Sequence, residues 1–266
     1  MIYEIKGKVI VLTGGNGGIG KLLSVNLQSF RGKVAALDIN FERTEETGSF
    51  LPISCDITDE DQLTQAYERI IKKFNKIDIL IHNAGITHMS RFTDTSRSTF
   101  DKIMDVNFHS SVHLTRICLQ DIIKNKGQII AISSVAGFAP LYGRSAYSAS
   151  KHALEGFFLS LGSELKEKDV SVSIVSPSFI RSRPELQAKV NDGISSPGAT
   201  KKNTRGKEIS PEEAVESILY TIQNRVPKLY LGRVSKIARW MFALFPNLYM
   251  KIMTRDARKE FEDIQM

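Results

Sequence analysis

The chain has 266 residues, enough for one or two domains and for a core that needs neither disulfides nor a structural metal. Hydrophobic residues make up 42% and charged residues 24%, which excludes collagen-like, disordered and multi-span membrane proteins. The net charge of +7 is uneven: residues 1–180 hold 20 Lys+Arg against 19 Asp+Glu, so +6 falls in residues 181–266.

Short apolar runs predict strands at 8–13, 33–38, 51–55, 77–81, 127–133, 170–176 and 228–232. Amphipathic stretches between them predict helices at 18–31, 59–75, 97–125, 145–168 and 211–225. Thr58-Asp59-Glu60-Asp61 carries a capping-box pattern, and Ser210-Pro211-Glu212-Glu213 combines an N-cap, a proline at the first helical position and an acid at the third. Continuous apolar strands alternating with helices predict an α/β fold: a doubly wound, Rossmann-type parallel sheet of about seven strands with helices on both faces. A single catalytic domain over 1–232 is expected, with a long loop at 183–209 and a C-terminal extension at 233–266. The apolar run after Met1 is too short for a signal peptide, and no window of 18 apolar residues predicts a transmembrane helix. Cys55 and Cys118 fit no disulfide framework or zinc spacing, and the five histidines form no metal-ligand pattern with Cys or acids. No metal site is expected, and a reducing, cytoplasmic location fits.

The first strand runs into Gly14-Gly15-Asn16-Gly17-Gly18-Ile19-Gly20, and a helix follows. Glycines there let the backbone approach a pyrophosphate, whose charge faces the free N–H groups of the helix's first turn. Asp38 ends the second strand 18 residues after Gly20, near the spacing expected of a ribose-binding acid. It would repel a 2′-phosphate, and no basic residue follows at position 39, so NAD is favoured over NADP.

Tyr147 and Lys151 stand four residues apart and share one helix face. A cation lowers the pKa of a nearby phenol, which can then exchange a proton with an alcohol or carbonyl oxygen. That spacing alone is unspecific. Two further segments give it context: the strand before Ser133-Ser134 and the Asn83-Ala84-Gly85 turn after the fourth strand. Both lie at carboxyl ends of strands, where ligands bind in parallel sheets.

Taken together, these motifs resemble the short-chain dehydrogenase/reductase family, over about residues 6–232. The loop from Thr13 to Gly20 is similar to its cofactor loop, Asp56-Ile57 to its adenine-contact dipeptide, and Asn83-Ala84-Gly85 to its Asn-Ala-Gly motif. Asn107, Ser134, Tyr147 and Lys151 match its catalytic residues. The resemblance implies cofactor contacts at Thr13, Gly14, Asn16, Gly18, Ile19, Gly20, Asp56, Ile57, Asn83, Ala84, Gly85, Tyr147, Lys151, Pro177, Ile180 and Ser182. It departs at Pro177-Ser178, where the family has Pro-Gly, at Ser182 for a threonine, and at His82 for an asparagine.

The implied reaction is hydride transfer between a secondary alcohol or ketone and a nicotinamide. Tyr147 serves as acid/base, Ser134 holds the substrate oxygen, Lys151 lowers the Tyr147 pKa and holds the ribose, and Asn107 supports a water. Ser134, Tyr147, Phe138, Tyr142 and Phe179 are the expected substrate contacts. Their apolar members favour a lipophilic substrate such as a steroid, retinoid or fatty-acyl compound over a sugar, with core packing as the competing reading. A homodimer or homotetramer through the helices at 97–125 and 145–168 is implied by resemblance.

Residues 234–253 contain the only tryptophan, Trp240, with Phe242, Phe245, Tyr249 and flanking Lys236, Arg239, Lys251 and Arg255. Pro246 is expected to split this stretch into two short helices. Three placements fit the pattern: peripheral membrane contact, a lid over the substrate pocket, or a subunit interface. Lys201, Lys202, Arg205 and Lys207 crowd the long loop and read as solubilising charge. A non-catalytic dinucleotide-binding regulator is the alternative function, disfavoured by the intact Ser134–Tyr147–Lys151 set. Nucleic-acid binding is not expected, because no recognised motif accompanies the basic residues.

Overall fold

The computed structural model describes residues 2–41, 45–181, 194–195 and 208–265. Its elements in chain order are β1 (Val9–Thr13), α1 (Gly18–Ser29), β2 (Lys33–Asp38), β3 (Phe50–Ser54), α2 (Glu60–Phe74), β4 (Ile79–His82), β5 (Thr87–His88), α3 (Arg97–Met104), α4 (Ser110–Lys124), β6 (Gln128–Ile132), α5 (Ser145–Leu165), β7 (Ser171–Pro177), β8 (Ile194–Ser195), α6 (Pro211–Asn224), β9 (Lys228–Leu231), α7 (Arg233–Leu244) and α8 (Pro246–Gln265). Seven strands form one parallel sheet in the order β3-β2-β1-β4-β6-β7-β9, while β5 and β8 pair antiparallel outside it. The order reverses between β1 and β4, where a ligand crevice opens in doubly wound sheets.

Both faces of the sheet are covered, which is why its strands read as unbroken apolar runs. Val9, Val11, Leu80, Ile129 and Ile174 point to one core with Leu63 and Ile70 of α2, Cys118 of α4 and Phe158 of α5. Their strand neighbours Ile10, Leu12, Ile79, Ile130 and Val175 point to the other core, with Leu23 and Leu27 of α1 and Ile218 and Ile222 of α6. The alternation follows from the two-residue side-chain period of a strand.

The helix ends differ in detail from the expectations. Asp59, not Thr58, caps α2, accepting from the backbone N–H groups of Asp61 and Gln62. The reciprocal box is complete at α6, where Ser210 accepts from Glu213 N–H and the Glu213 carboxylate accepts from Ser210 N–H. The helix expected over 97–125 is interrupted by a π-turn at Asp105–His109, and α5 ends at Leu165, with one 3₁₀ turn after it. Pro246 does split the C-terminal stretch, but α8 has 20 residues and is not short. Pro246 begins that helix, at a position where a proline ring costs no hydrogen bond. Of the long loop, residues 194–195 and 208–209 are described; Lys201, Lys202, Arg205 and Lys207 lie outside the described residues.

Candidate active site

A cleft of about 920 Å³ runs along the carboxyl ends of β1, β2, β4, β6 and β7. Its glycine-loop end is lined by Gly14, Gly17, Gly18, Ile19 and Gly20, with Asp38, Asp56 and Ile57 beside them. Gly14 has φ +66°, a conformation open to glycine, and a methyl at Gly20 would overlap the Gly14 carbonyl oxygen. The helix therefore starts hard against the strand that feeds it. Gly17 caps α1 without a side chain, and the first turn carries no acid. Its N–H groups and the helix dipole suit an anion there.

Small polar side chains hold this loop from behind. Thr13 Oγ1 accepts from the N–H groups of Asn83 and Ala84, each at 3.1 Å. Asn83 Nδ2 donates to the carbonyl oxygens of Thr13 and Gly14, both at 3.1 Å. The Asp38 carboxylate accepts from Asn16 N–H at 2.9 Å, and Asn16 Nδ2 donates to the Asn40 carbonyl. Thr13 and Asn16 thus shape the loop from outside the residues that line the cleft. The Asp56 carboxylate is engaged by the Thr58 N–H and hydroxyl.

Further along, Ser133, Ser134, Tyr147, Lys151, Pro177, Phe179 and Ile180 line the cleft. The side chains of Ser134 and Tyr147 are hydrogen-bonded to each other. Lys151, buried on the same helix face, donates from Nζ to the Ile132 carbonyl at 2.9 Å. A methyl at Gly85 would stand 3.2 Å from Asn107 Oδ1 and 3.6 Å from Lys151 Nζ, so only a glycine lies between them. Asn107 sits in the π-turn with both amide donors employed: Nδ2 donates to Ile86 O and Ser150 Oγ, and Oδ1 accepts from Ile86 N–H. It acts on the site through the Ile86 backbone and does not line the cleft. Ser182 lies outside the described residues.

Burial and neighbouring charge shift the titratable groups of the cleft. Burial pushes the Lys151 ammonium down to about 8, against an opposite pull from Glu155. Burial also raises the Tyr147 phenol above its usual value, while the Ser134 hydrogen bond and then the Arg144 charge lower it. The cation that lowers the Tyr147 phenol is Arg144, where Lys151 was expected. Arg144 is buried in the cleft wall and donates to Thr87 Oγ1 at 2.7 Å.

Two expected substrate contacts are not among the residues that line the cleft. Phe138 packs edge-on against Tyr230 at 5.1 Å and joins a cluster beneath α7 and α8. The backbone N–H of Tyr142 meets Met253 Sδ at 3.0 Å. Neither is among the residues lining the cleft, whereas Phe179 and Leu141 are. The turn after Ser134 carries Phe138 away from the crevice, and the C-terminal helices supply the apolar surface that covers it.

Sequence reasoning missed Arg144, three residues before Tyr147, and Glu155, one helical turn after Lys151. The second had a signal: Tyr147, Lys151 and Glu155 recur every four residues. Glu155 accepts from Ser176 Oγ at 2.8 Å and pairs with Lys228 at 2.5 Å, tying α5 to β7 and β9. The surroundings of two departures from the family pattern are defined. A side chain at Gly232, φ +87°, would overlap Ser178 Oγ. His82 is buried, bonded to Thr115 and tilted against Phe158. Among the described residues no three of His, Cys, Asp and Glu converge as metal ligands.

With this fold and cleft, the chain belongs to the short-chain dehydrogenase/reductase family. The family model for short chain dehydrogenases matches residues 8–194. The chain is 33% identical to "Dehydrogenase/reductase SDR family member 7B" of Xenopus laevis, over 96% of this chain and 83% of that one. It is also 33% identical to "Dehydrogenase/reductase SDR family protein 7-like" of Drosophila melanogaster, over 96% and 82%. A Burkholderia cenocepacia short chain dehydrogenase solved with NADP superimposes with a TM-score of 0.79 at 24% identity, covering 94% of this chain and 99% of that one. The Brucella melitensis 3-ketoacyl-(acyl-carrier-protein) reductase solved with NADH gives a TM-score of 0.74 at 22% identity, covering 85% and 96%. These likenesses establish the fold, and the family makes the chain an oxidoreductase.

Proposed function

We propose that the chain interconverts a secondary alcohol and a ketone using a nicotinamide dinucleotide, with NAD preferred to NADP and a lipophilic substrate. The observation that carries this reading is the Ser134–Tyr147 hydrogen bond, with Lys151, in the same cleft as the glycine loop. When bound, the dinucleotide supplies or removes hydride. The open first turn of α1 receives its pyrophosphate, Asp38 its adenosine ribose and Lys151 its second ribose. An ammonium has three donors, and the Ile132 carbonyl uses one of them. Tyr147 gives its phenolic proton to a carbonyl oxygen or takes one from an alcohol, while Ser134 hydrogen-bonds the same oxygen. The Arg144 charge favours the phenolate through the exchange.

The NAD preference is supported by Asp38, which keeps one carboxylate oxygen beyond its bond to Asn16 for ribose hydroxyls and repels a 2′-phosphate. The solved neighbours divide here, one holding NADP and the other NADH. The lipophilic substrate is supported by Val135, Ile86, Leu141 and Phe179 in the cleft wall. A homodimer or homotetramer through α4 and α5 rests on family resemblance; Leu159, exposed on α5, is an apolar residue it would cover. No helix among the described residues is long and apolar enough to cross a membrane.

A panel of lipophilic alcohols and ketones, run with each dinucleotide and followed by nicotinamide absorbance, tests the reading. Turnover with NAD on an apolar secondary alcohol, shifted toward NADP by Asp38→Ala, is expected. Dinucleotide binding without turnover on any member would favour the non-catalytic regulator instead.

A further inference from the structure

The arm formed by α7 and α8 has two apolar faces. The inner one is seated on the domain. Ala238 and Tyr249 are buried, and Met241, Phe242 and Met253 pack with them against Val135, Phe138, Ala139 and Leu141. Ser235 Oγ donates to the Ser176 carbonyl at 2.7 Å, and Tyr249 Oη donates to the Pro140 carbonyl at 3.1 Å. None of the described residues lining the cleft comes from α7 or α8.

The outer face is apolar as well. Ile237, Trp240, Leu244, Phe245 and Leu248 are between 51% and 63% exposed. Ile237, Trp240 and Leu244 recur at helical spacing and form one stripe, which Phe245 and Leu248 continue across the turn into α8. Cations surround it: Arg233, Lys236, Arg239, Lys251 and Arg255, with no acidic residue anywhere in 233–255. Acids return in the sequence at Asp256. The Arg239 guanidinium stands 5.0 Å from the Trp240 ring and 4.4 Å from that of Tyr230, which places a cation beside the exposed indole.

We propose that this outer face docks on an anionic lipid surface. A two-fold contact with a second copy would bury the same apolar stripe but would bring two acid-free basic segments together. Anionic headgroups complement those cations, and long Lys and Arg stems reach headgroups while apolar neighbours enter the acyl boundary. Tryptophan favours that boundary because one end of its ring system is apolar and the other polar. The seated inner face fixes the stripe outward, so docking needs no rearrangement of the domain. The proposal rests on the arm alone and stands apart from the reaction.

Trp240 is the only tryptophan in the chain, so its emission reports this face directly. The full-length protein would be titrated with phosphatidylcholine vesicles containing about 30% phosphatidylserine, and with pure phosphatidylcholine vesicles as the neutral control. A blue-shifted, brighter emission and co-sedimentation with the anionic vesicles are expected. Both should weaken as salt is raised to about 1 M, where the screening length falls to about 3 Å. Each surface cation removed should lower partitioning about fivefold, so Lys236→Gln with Lys251→Gln should lower it roughly 25-fold. Leu244→Ser with Phe245→Ser should abolish the emission shift. An emission unchanged at saturating anionic lipid would overturn the proposal. So would a concentration-dependent shift without lipid, accompanied by a doubled mass, which would assign the face to a second copy.

Discussion

The cleft and the C-terminal arm invert ordinary side-chain placement in opposite directions. In the cleft wall, charged Lys151 and Arg144 are buried, and Glu155 is buried one helical turn beyond Lys151. On the arm, Trp240, Leu244 and Phe245 face outward. A buried charge or an exposed apolar group is the informative departure in a folded chain, because exposed charge and buried carbon need no special reason. The inversion in the cleft works against stability; on the proposed function it is exchanged for a proton carrier with tuned partners. The inversion on the arm costs little inside the molecule, because its inner face alone holds the helices in place.

The comparison is tested most severely at Tyr147. Tyr147→Phe keeps the ring and removes the proton carrier, so turnover should fall by about 10²–10⁴-fold. Dinucleotide binding, measured by calorimetry, should persist, since the glycine loop is untouched. Normal turnover in this variant would remove Tyr147 from the mechanism.

Lys151 comes next, and here the sign favours the mutant. Below about pH 8 the amine is protonated in both folded and unfolded chains, and burial of that charge opposes folding throughout. Between about 8 and 10.5 only the unfolded chain still binds the proton, so wild-type stability should climb with pH across that window. Lys151→Met should lose turnover yet melt higher at pH 7. The gain should be on the order of 2 kcal/mol after the lost Ile132 hydrogen bond is subtracted, or roughly 4–8 °C. The advantage should shrink as pH approaches 10.5. A lower melting temperature at every pH would show that the buried ammonium supports the fold instead.

Physical range explains which features were legible in the sequence. Each of the seven sheet strands announces itself locally, as in the unbroken run Val9-Ile10-Val11-Leu12. The glycine loop is legible because its constraint lies in the backbone, where Gly14 and Gly20 leave no room for side chains. Arg144 was not, because its burial depends on Thr87 and Met89, more than 50 residues upstream. The absence of Phe138 and Tyr142 from the cleft lining was not legible for the same reason. They neighbour Ser134 and Tyr147 in sequence, but their surroundings are set by Tyr230 and Met253, far downstream. The π-turn carrying Asn107 has no local signature within an amphipathic stretch, and it emerged only with the bonds to Ile86 and Ser150.

On the arm, a smaller effect separates its two faces. Ser235→Ala leaves the buried Ser176 carbonyl without the hydroxyl that now bonds it. The cost should be about 1 kcal/mol, read as a melting temperature lower by roughly 2–4 °C. An unchanged melting temperature would mean that α7 is not anchored at its first turn.

The smallest expected effect is the sharpest test of the contrast. Trp240 carries the largest side chain on the outer face, so a conventional reading of tryptophan as a core residue predicts severe destabilisation when it is truncated. Its indole is 59% exposed, and its one ring contact among the described residues is the Arg239 guanidinium. Burial of its surface therefore contributes little to folding, and Trp240→Ala should change stability by no more than about 0.5 kcal/mol. Turnover should be equally unaffected, because no described residue of α7 borders the cleft. A loss of several degrees in melting temperature would mean that the indole is covered in the folded protein, and the arm would then be an internal element whose two faces do not differ.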